Sequence, residues 1–364
     1  MTTETATIAS TAAIVSSAAT ANGAAMANGA ATAVPAGTAE LTDAAGTDET
    51  AENRPRSHTD HAVIGIDFGG TKTEIALADA AGTPLRRIRL ATRAAEGPDQ
   101  ILARTADAVR ELAEHARTVY SAEVAGYAAV SPGVIQSDRI LLTPNLPGWE
   151  RLALADRLRR ELDVPAVAIA NDVRAGALVE LRRGALRGAE PGVYLSLGTG
   201  IAAAVTLGGR VLTGAHHAAG EIGYLDPGHG DGLYIDGRAP LEDLVGGNAI
   251  AARTAAELGE ALTAEQLFTR TDPAADRLAR QVLGVLATAI ANIAVLLDPE
   301  RLVIGGGMMA ARTTLLPALT AHLARAVPFP PTVLPARFTA DASLHGAITL
   351  ALDQVAAGVS GTSG

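Results

Sequence analysis

Val63-Ile-Gly-Ile-Asp-Phe-Gly-Gly-Thr-Lys-Thr-Glu-Ile-Ala-Leu77 sets two apolar runs on either side of a glycine pair. The pattern reads as strand, tight turn, strand. Lys72 is the only lysine in the chain; the 29 Lys plus Arg residues therefore leave 28 arginines. Lysine is a compact, flexible point charge that can follow a phosphate, whereas arginine presents a rigid planar fork. Gly69 and Gly70 allow the backbone to come close to a ligand, and the N–H groups of such a turn can cradle anionic oxygens. Two readings stand on these residues: a loop built to hold a phosphate chain, or a hairpin whose turn only reverses direction. A Walker loop is excluded, because the Gly-x-x-x-x-Gly-Lys-Ser/Thr spacing is absent and a strand-like run follows. Asp67 ends the first strand. A carboxylate beside a phosphate site suits Mg²⁺, which keeps several waters and needs few protein ligands.

The bulk numbers narrow the field. A chain of 364 residues suggests about two domains. A net charge of −10 argues against nucleic acid or a membrane surface as the main partner. Cysteine is absent, which removes disulfides, thiolate metal sites and cysteine nucleophiles. Aromatic residues are only 3%, too few for a base-stacking platform. The expectation is a soluble, cytoplasmic protein acting on a small molecule. Residues 1–60 are rich in alanine and threonine and carry no secretory signal pattern. They read as a disordered tail, or as translation from a start codon placed too far upstream. The most apolar stretch, Val282 to Leu297, is interrupted by Gly284, Thr288 and Asn292 and reads as a core helix rather than a membrane span.

From Ala62 onward strands and helices alternate, so the class is α/β. Leu102, Ala106, Val109 and Ala113 recur at helical spacing. Val124–Val130 and Pro165–Ile169 read as strands, Leu152–Leu162 and Val173–Leu186 as helices. Val193-Tyr-Leu-Ser-Leu-Gly-Thr-Gly-Ile-Ala-Ala-Ala-Val-Thr-Leu207 then repeats the opening form, an apolar strand, a Gly/Thr turn and an apolar strand. Such self-similarity predicts two related halves, each presenting one glycine hairpin to a shared cleft. Arg301-Leu-Val-Ile-Gly-Gly-Gly307 is a strand meeting a glycine turn, and Leu344 to Ala357 a closing helix. The domains are expected at 61–178 and 179–343, with helix 344–358 packing back on the first. Ala170-Asn-Asp-Val173 follows a strand, where open α/β sheets place catalytic groups. The same Asn-Asp pair would also serve as a plain helix cap.

Together these pieces resemble the ROK family (repressor, ORF, kinase) of sugar kinases, within the actin-like ATPase, ribonuclease H-like fold of duplicated domains around an interdomain cleft. The family's first phosphate motif, Asp-x-Gly-Gly-Thr-Lys, stands as Asp67-Phe-Gly-Gly-Thr-Lys72, with Gly69, Gly70 and Thr71 in the turn. Its second stands as Leu197-Gly-Thr-Gly200, with Gly198 and Thr199 in the turn, and its adenosine-side glycines as Gly305, Gly306 and Gly307. The resemblance implies ATP and Mg²⁺ as cofactors, Asp172 as catalytic base, and Asn145, Asn171, Asp172 and Glu221 as groups touching the sugar. It also implies a homodimer. Phosphoryl transfer asks a protein mainly for positioning and charge neutralisation, which two glycine turns, Lys72 and Mg²⁺ supply.

The pattern breaks chiefly in one place, with a milder departure at Ala202 and Ala203 of the second hairpin, where relatives often have glycine. Relatives continue Glu-Ile-Gly with a histidine and a zinc-binding cysteine cluster; here Tyr224 replaces that histidine and no cysteine follows. No structural metal is expected, since His229 with carboxylates is a poor tetrahedral set. The lost histidine touches the sugar near its anomeric carbon in relatives, so a carbocyclic analogue, a C7 cyclitol, stands beside glucose-like hexoses as acceptor. His216 and His217 lie just upstream of Glu221. Two rivals remain. Gly198-Thr-Gly-Ile-Ala-Ala203 and Gly305-Gly-Gly-Met-Met-Ala310 match the glycine spacing of an NAD(P)-dependent oxidoreductase, but the required helix or distal acid is missing in each. A sugar-responsive ROK-type transcriptional regulator would need a basic DNA-reading segment, and residues 1–60 offer only Arg54 and Arg56.

Overall fold

The computed structural model describes residues 40–42, 61–228, 232–339 and 341–361. The N-terminal tail, except for 40–42, and His229 lie outside the described residues, so the readings placed there stay with the sequence. The chain divides into two compact units. The first takes the described residues through Val179 and resumes at Asp341; the second runs from Glu180 to Thr339.

In the first unit the strands are β1 (Glu40–Thr42), β2 (His61–Phe68), β3 (Lys72–Asp79), β4 (Pro84–Ala91), β5 (Glu123–Ser131), the short pair β6 (Val134–Ile135) and β7 (Ile140–Leu141), and β8 (Ala168–Asn171). Its main sheet has the order β1-β4-β3-β2-β5-β8. The β2–β3–β4 meander is antiparallel, while β5 and β8 run parallel to β2. Both faces of β2 are buried, as its unbroken apolar run requires. Ala62, Ile64, Ile66 and Phe68 pack with α1 (Pro98–Tyr120) and α2 (Leu154–Leu162), while Val63 packs with the last helix. The anticipated helical stripe of α1 is there, with Leu102, Ala106 and Val109 buried. The strand expected at Pro165–Ile169 lies three residues later, because its partners are Ala128 to Ser131 and Pro165 cannot donate to a ladder. That shift makes Asn171 the last strand residue, and α3 (Asp172–Arg183) begins at Asp172.

The second unit contains β9 (Gly192–Leu197), β10 (Ile201–Leu207), β11 (Arg210–Val211), β12 (Arg301–Gly305) and β13 (Thr332–Pro335), in the order β11-β10-β9-β12-β13. Again the meander is antiparallel and the two outer additions are parallel. This is the first unit's β4-β3-β2-β5-β8 order over again, the duplication that the repeated glycine hairpin foreshadowed. Helices α4 (Glu242–Val245), α5 (Gly247–Leu258), α6 (Ala264–Thr269), α7 (Pro273–Leu297) and α8 (Arg312–Ala326) complete it. Leu278, Val282, Leu286 and Ile290 of α7 enter the core with Leu195, Leu197 and Ile304. By length and composition α7 alone among the described helices is long and apolar enough to cross a membrane.

The last helix, α9 (Ala342–Gly361), returns to the first sheet. Gly65 and Gly126 make the close approach possible: a Cβ at Gly65 would lie 2.8 Å from the Ile348 nitrogen, and one at Gly126 2.8 Å from the Ala351 oxygen. The start of α9 is tied to β4 by charge. Arg87 donates to Asp341 at 2.6 Å, and Arg87 and the His345 ring nitrogen are 3.2 Å apart. His345 and Arg87 together hold the Asp341 carboxyl far below the ordinary carboxylate range. A depressed carboxylate stabilises the fold above its unfolded-state value and loses that contribution as pH falls through the folded one. Asp341→Ala should therefore lower stability at pH 7 by about 1–3 kcal/mol. In urea titrations the gap to wild type should narrow as pH falls below about 4.

Candidate active site

The first glycine turn is fixed by its strands. Phe68 pairs with Thr73 and Asp67 with Glu74 across β2 and β3, and Gly69 N–H donates to Lys72 O at 2.9 Å. Thr92, just past β4, braces the turn from behind. Its hydroxyl donates to Gly69 O at 2.6 Å and its N–H to Thr71 O at 2.9 Å. Thr71 and Lys72 are exposed at the tip. The Asn145 loop lies against the same turn, since a Cβ on Gly70 would come within 2.8 Å of Asn145 Cβ. That loop is anchored by buried Leu146 and Trp149, the latter edge-on to Phe68 with ring centroids 5.1 Å apart.

Acidic groups gather beside the turn. Lys72 and Arg89 both pair with buried Glu74, Arg89 at 2.9 Å. Burial, then the charges of Asp172 and Glu74, push the Asp67 carboxyl up to about 7 against the opposing pull of Lys72. Burial likewise raises Asp172, offset in part by the Val173 N–H that donates to its Oδ1 at 2.8 Å. The two neighbours meet the start of α3 differently. Asn171 Oδ1 accepts from Val173 and Arg174 N–H at 2.9 and 3.1 Å, and its Nδ2 donates to Gly133 O at 3.0 Å. Asn171 is thus the helix cap with both ends of its amide engaged, and Asp172 is the carboxylate that the cap holds in place.

In the second unit the turn at Gly198, Thr199 and Gly200 closes with Gly198 N–H donating to Gly200 O at 2.9 Å. The start of α5 grips it: Gly247 N–H donates to Gly198 O at 2.9 Å and Asn248 N–H to Thr199 O at 3.2 Å. Glu242 lies underneath, accepting Ile201 N–H at 2.8 Å, and a Cβ on Gly200 would meet its Oε2 at 2.4 Å. Burial raises its carboxyl. The third motif abuts the second. Gly306 has φ 88° and lies so close to Leu197 O that a Cβ would be 2.4 Å away, while Gly307 N is 3.6 Å from the Cβ position of Gly198. Gly305 is packed against the Tyr194 hydroxyl.

Glu221 leads a short turn, Ile222–Tyr224, docked on β10 through Ala203 N–H to Gly220 O at 2.7 Å. Gly223 borders Glu242, and burial and then the Glu221 and Glu242 charges drive the Tyr224 phenol far up, so it stays a neutral hydroxyl between carboxylates. Tyr224 also meets Tyr234 edge-on at 5.4 Å. His216 and His217 are exposed on the preceding loop.

Thr92, Glu74 and Glu242 were not among the expected site residues. Glu242 has a faint signal, an acid four residues before Gly246-Gly247; Thr92 has none. Among the described residues no group of three or more His, Cys, Asp or Glu side chains is arranged to hold a metal. The oxygen donors of Asp67 and Asp172 suit Mg²⁺ arriving with phosphate ligands, which needs only one or two carboxylates. The oxidoreductase spacing fails structurally at the second turn, since β10 runs antiparallel to β9 with no crossover helix.

Twin sheets with glycine turns at matching strand ends define a class, the α/β proteins of the actin-like ATPase fold. Within it the chain belongs to the ROK family, whose family model matches residues 63–354. It is 31% identical over 293 residues to a glucokinase of Halalkalibacterium halodurans, covering 72% of this chain and 86% of that one. It is 33% identical over 296 residues to an N-acetylmannosamine kinase of Escherichia coli, covering 79% and 97%. The ROK hexokinase structure from Thermus thermophilus superposes with a TM-score of 0.68 at 30% identity, over 81% of this chain and 99% of that one.

The raised Asp67 carboxyl gives a signed prediction. An acid whose folded value lies above its unfolded one weakens the fold as pH rises between the two, here from about 4 to about 7. With EDTA and no nucleotide, Asp67→Asn should melt above wild type at pH 8 by at least about 1 kcal/mol. The two should converge near pH 4 in differential scanning calorimetry.

Proposed function

We propose that this chain is an ATP- and Mg²⁺-dependent kinase. It would phosphorylate the exocyclic primary hydroxyl of a neutral polyhydroxylated ring, either a glucose-like hexose or a C7 cyclitol. The observation that carries the reading is the meeting of the Gly69-Gly70 turn, Lys72, Asp67 and Asp172 in one unit, with Asp172 pinned by its capped helix start. Identity above 30% to a glucokinase and an N-acetylmannosamine kinase supports it.

In this mechanism Asp172 accepts the acceptor hydroxyl's proton as the new O–P bond forms and ADP leaves. Its burial-raised carboxyl suits a group that must hold that proton transiently. Asn171 serves by positioning Asp172, and Asn145 and Glu221 would accept or donate bonds to the acceptor's hydroxyls. Lys72 and the turn N–H groups of Gly70 and Thr71 would neutralise phosphate charge, and the glycine turns at Gly198–Gly200 and Gly305–Gly307 would bind nucleotide in the second unit. Asp67 would help to hold Mg²⁺, which would supply charge neutralisation for phosphoryl transfer. Tyr224 places a neutral hydroxyl near Glu221 and Glu242, a setting for an uncharged ring rather than an anionic one. Lacking the family's histidine there, the site favours a ring that makes no demand at the anomeric oxygen, which is the argument for the cyclitol. The enzyme would work in the cytoplasm, where ATP is supplied.

Asp172→Asn should lower kcat by about three orders of magnitude or more while ATP still binds in calorimetry; turnover within tenfold of wild type would remove Asp172 from its role. Lys72→Ala should raise the KM for ATP at least tenfold. A coupled ADP-release screen over hexoses, N-acetylated amino sugars and C7 cyclitols should show the highest kcat/KM with glucose-like hexoses or cyclitols. Stronger turnover of N-acetylmannosamine would refute that acceptor assignment.

A further inference from the structure

A row of charged side chains crosses the first sheet beside its glycine turn. Asp67, Glu74 and Arg89 stand directly opposite one another on β2, β3 and β4, and Lys72, two residues before Glu74, shares their face. Glu74 is buried, and its two carboxylate oxygens are divided between two partners. Oε2 pairs with the Lys72 amine, while Oε1 accepts from Arg89 Nε at 3.0 Å and Nη2 at 2.9 Å. Burial works to raise the Glu74 carboxyl, but the bonds from Lys72 and then Arg89 bring it below its ordinary value, so it is an anion. Lys72 itself is half exposed at the tip of the turn, on a long flexible stem.

We infer that Glu74 and Arg89 are positioning residues for Lys72 and fix where its charge stands for the nucleotide's phosphate chain. The inference rests on the phosphotransfer reading and adds two residues to it. Glu74 tethers an ammonium group that would otherwise wander. An ammonium has three donors, so one can stay on Glu74 while the others turn to phosphate oxygens. The tether has an electrostatic cost. A carboxylate beside the amine cancels its charge toward an incoming anion, and Asp67 across the strand pair adds to the repulsion. Arg89 removes that cost, because two cations about one carboxylate leave the group with a net positive charge. Two guanidinium nitrogens on one oxygen also hold the carboxylate in a single orientation, which the point charge of a lysine would do less firmly. Glu74 and Arg89 therefore act on nucleotide affinity in opposite senses. Glu74 lowers it while fixing the amine, and Arg89 raises it. A cross-strand ion pair that only stabilised the sheet would give both residues the same sense.

Because Lys72 is the only lysine, its amine can be watched alone. Reductive methylation of the full-length protein with ¹³C-formaldehyde keeps the charge and gives a single lysine side-chain signal in the NMR spectrum. Without nucleotide, ¹³C relaxation of that signal should show a restrained group in wild type and a freely moving one in Glu74→Gln. In calorimetry on unmethylated protein, Arg89→Gln should weaken MgATP binding about tenfold, whereas Glu74→Gln should bind MgATP as tightly as wild type or tighter. The double variant Glu74→Gln/Arg89→Gln restores the charge balance, so its Kd should return to within about threefold of wild type. Arg89→Lys should keep most of the wild-type affinity. The inference is overturned if the lysine signal is equally mobile in wild type and Glu74→Gln. It is equally overturned if both single variants weaken MgATP binding alike and the double variant weakens it further. Absence of MgATP binding by wild type would overturn the phosphotransfer reading itself, whereas a mobile Lys72 with MgATP binding intact overturns this inference only.

Discussion

Crowded negative charge at the end of one strand pair organises the first unit. Asp67 and Glu74 stand directly opposite each other across β2 and β3, an arrangement that repels when both are ionised. Lys72 and Arg89 offset Glu74, leaving Asp67 to face Asp172 with its charge poorly compensated. A fold that keeps such a group half-buried is set up to be completed by a cation. The glycine turn beside it offers N–H groups and an amine, the complementary set for anionic oxygens. Under the proposed function, this one small region would supply both halves of a metal–phosphate pair, with the sole lysine among its groups.

The two units solve the same problem with different props. Both repeat the meander-plus-two-parallel-strands order and put a glycine turn inside the meander, between β2 and β3 in one and β9 and β10 in the other. In the first, hydroxyl groups of Thr73 and Thr92, 3.1 Å apart, stand behind the turn. In the second, a buried carboxylate, Glu242, and the backbone at the start of α5 take that place. Topology was kept through the duplication while the supporting chemistry diverged.

How much of this could be read beforehand follows from how local each signal is. The run from Asp67 to Thr73 declares itself within seven positions, through strand period, paired glycines and an isolated lysine. The α/β class and the repeated hairpin were legible for the same reason. Asn171 and Asp172 gave identical cap signals, and only the folded backbone shows Asn171 accepting from both Val173 and Arg174 N–H while Asp172 accepts from only the first of these. Thr92 was invisible and Glu242 only faintly marked because their partners, Gly69 and Ile201, lie 23 and 41 positions away and meet them only after the chain folds. The β8 boundary moved because register with β5 outweighs the local pull of a short apolar run.

The return of α9 to the first sheet has a consequence for biosynthesis. Val63, Ala76 and Ala128 find their apolar partners in Leu344, Ile348 and Ala351, which leave the ribosome only after the whole second unit. The second unit is contiguous in the chain and can mature during translation, as domains generally fold as units. The sheet made first must wait, one flank uncovered, until α9 has been made. Nascent chains are thus exposed to misassociation through their earliest strands, and chaperones would meet this protein chiefly at that flank.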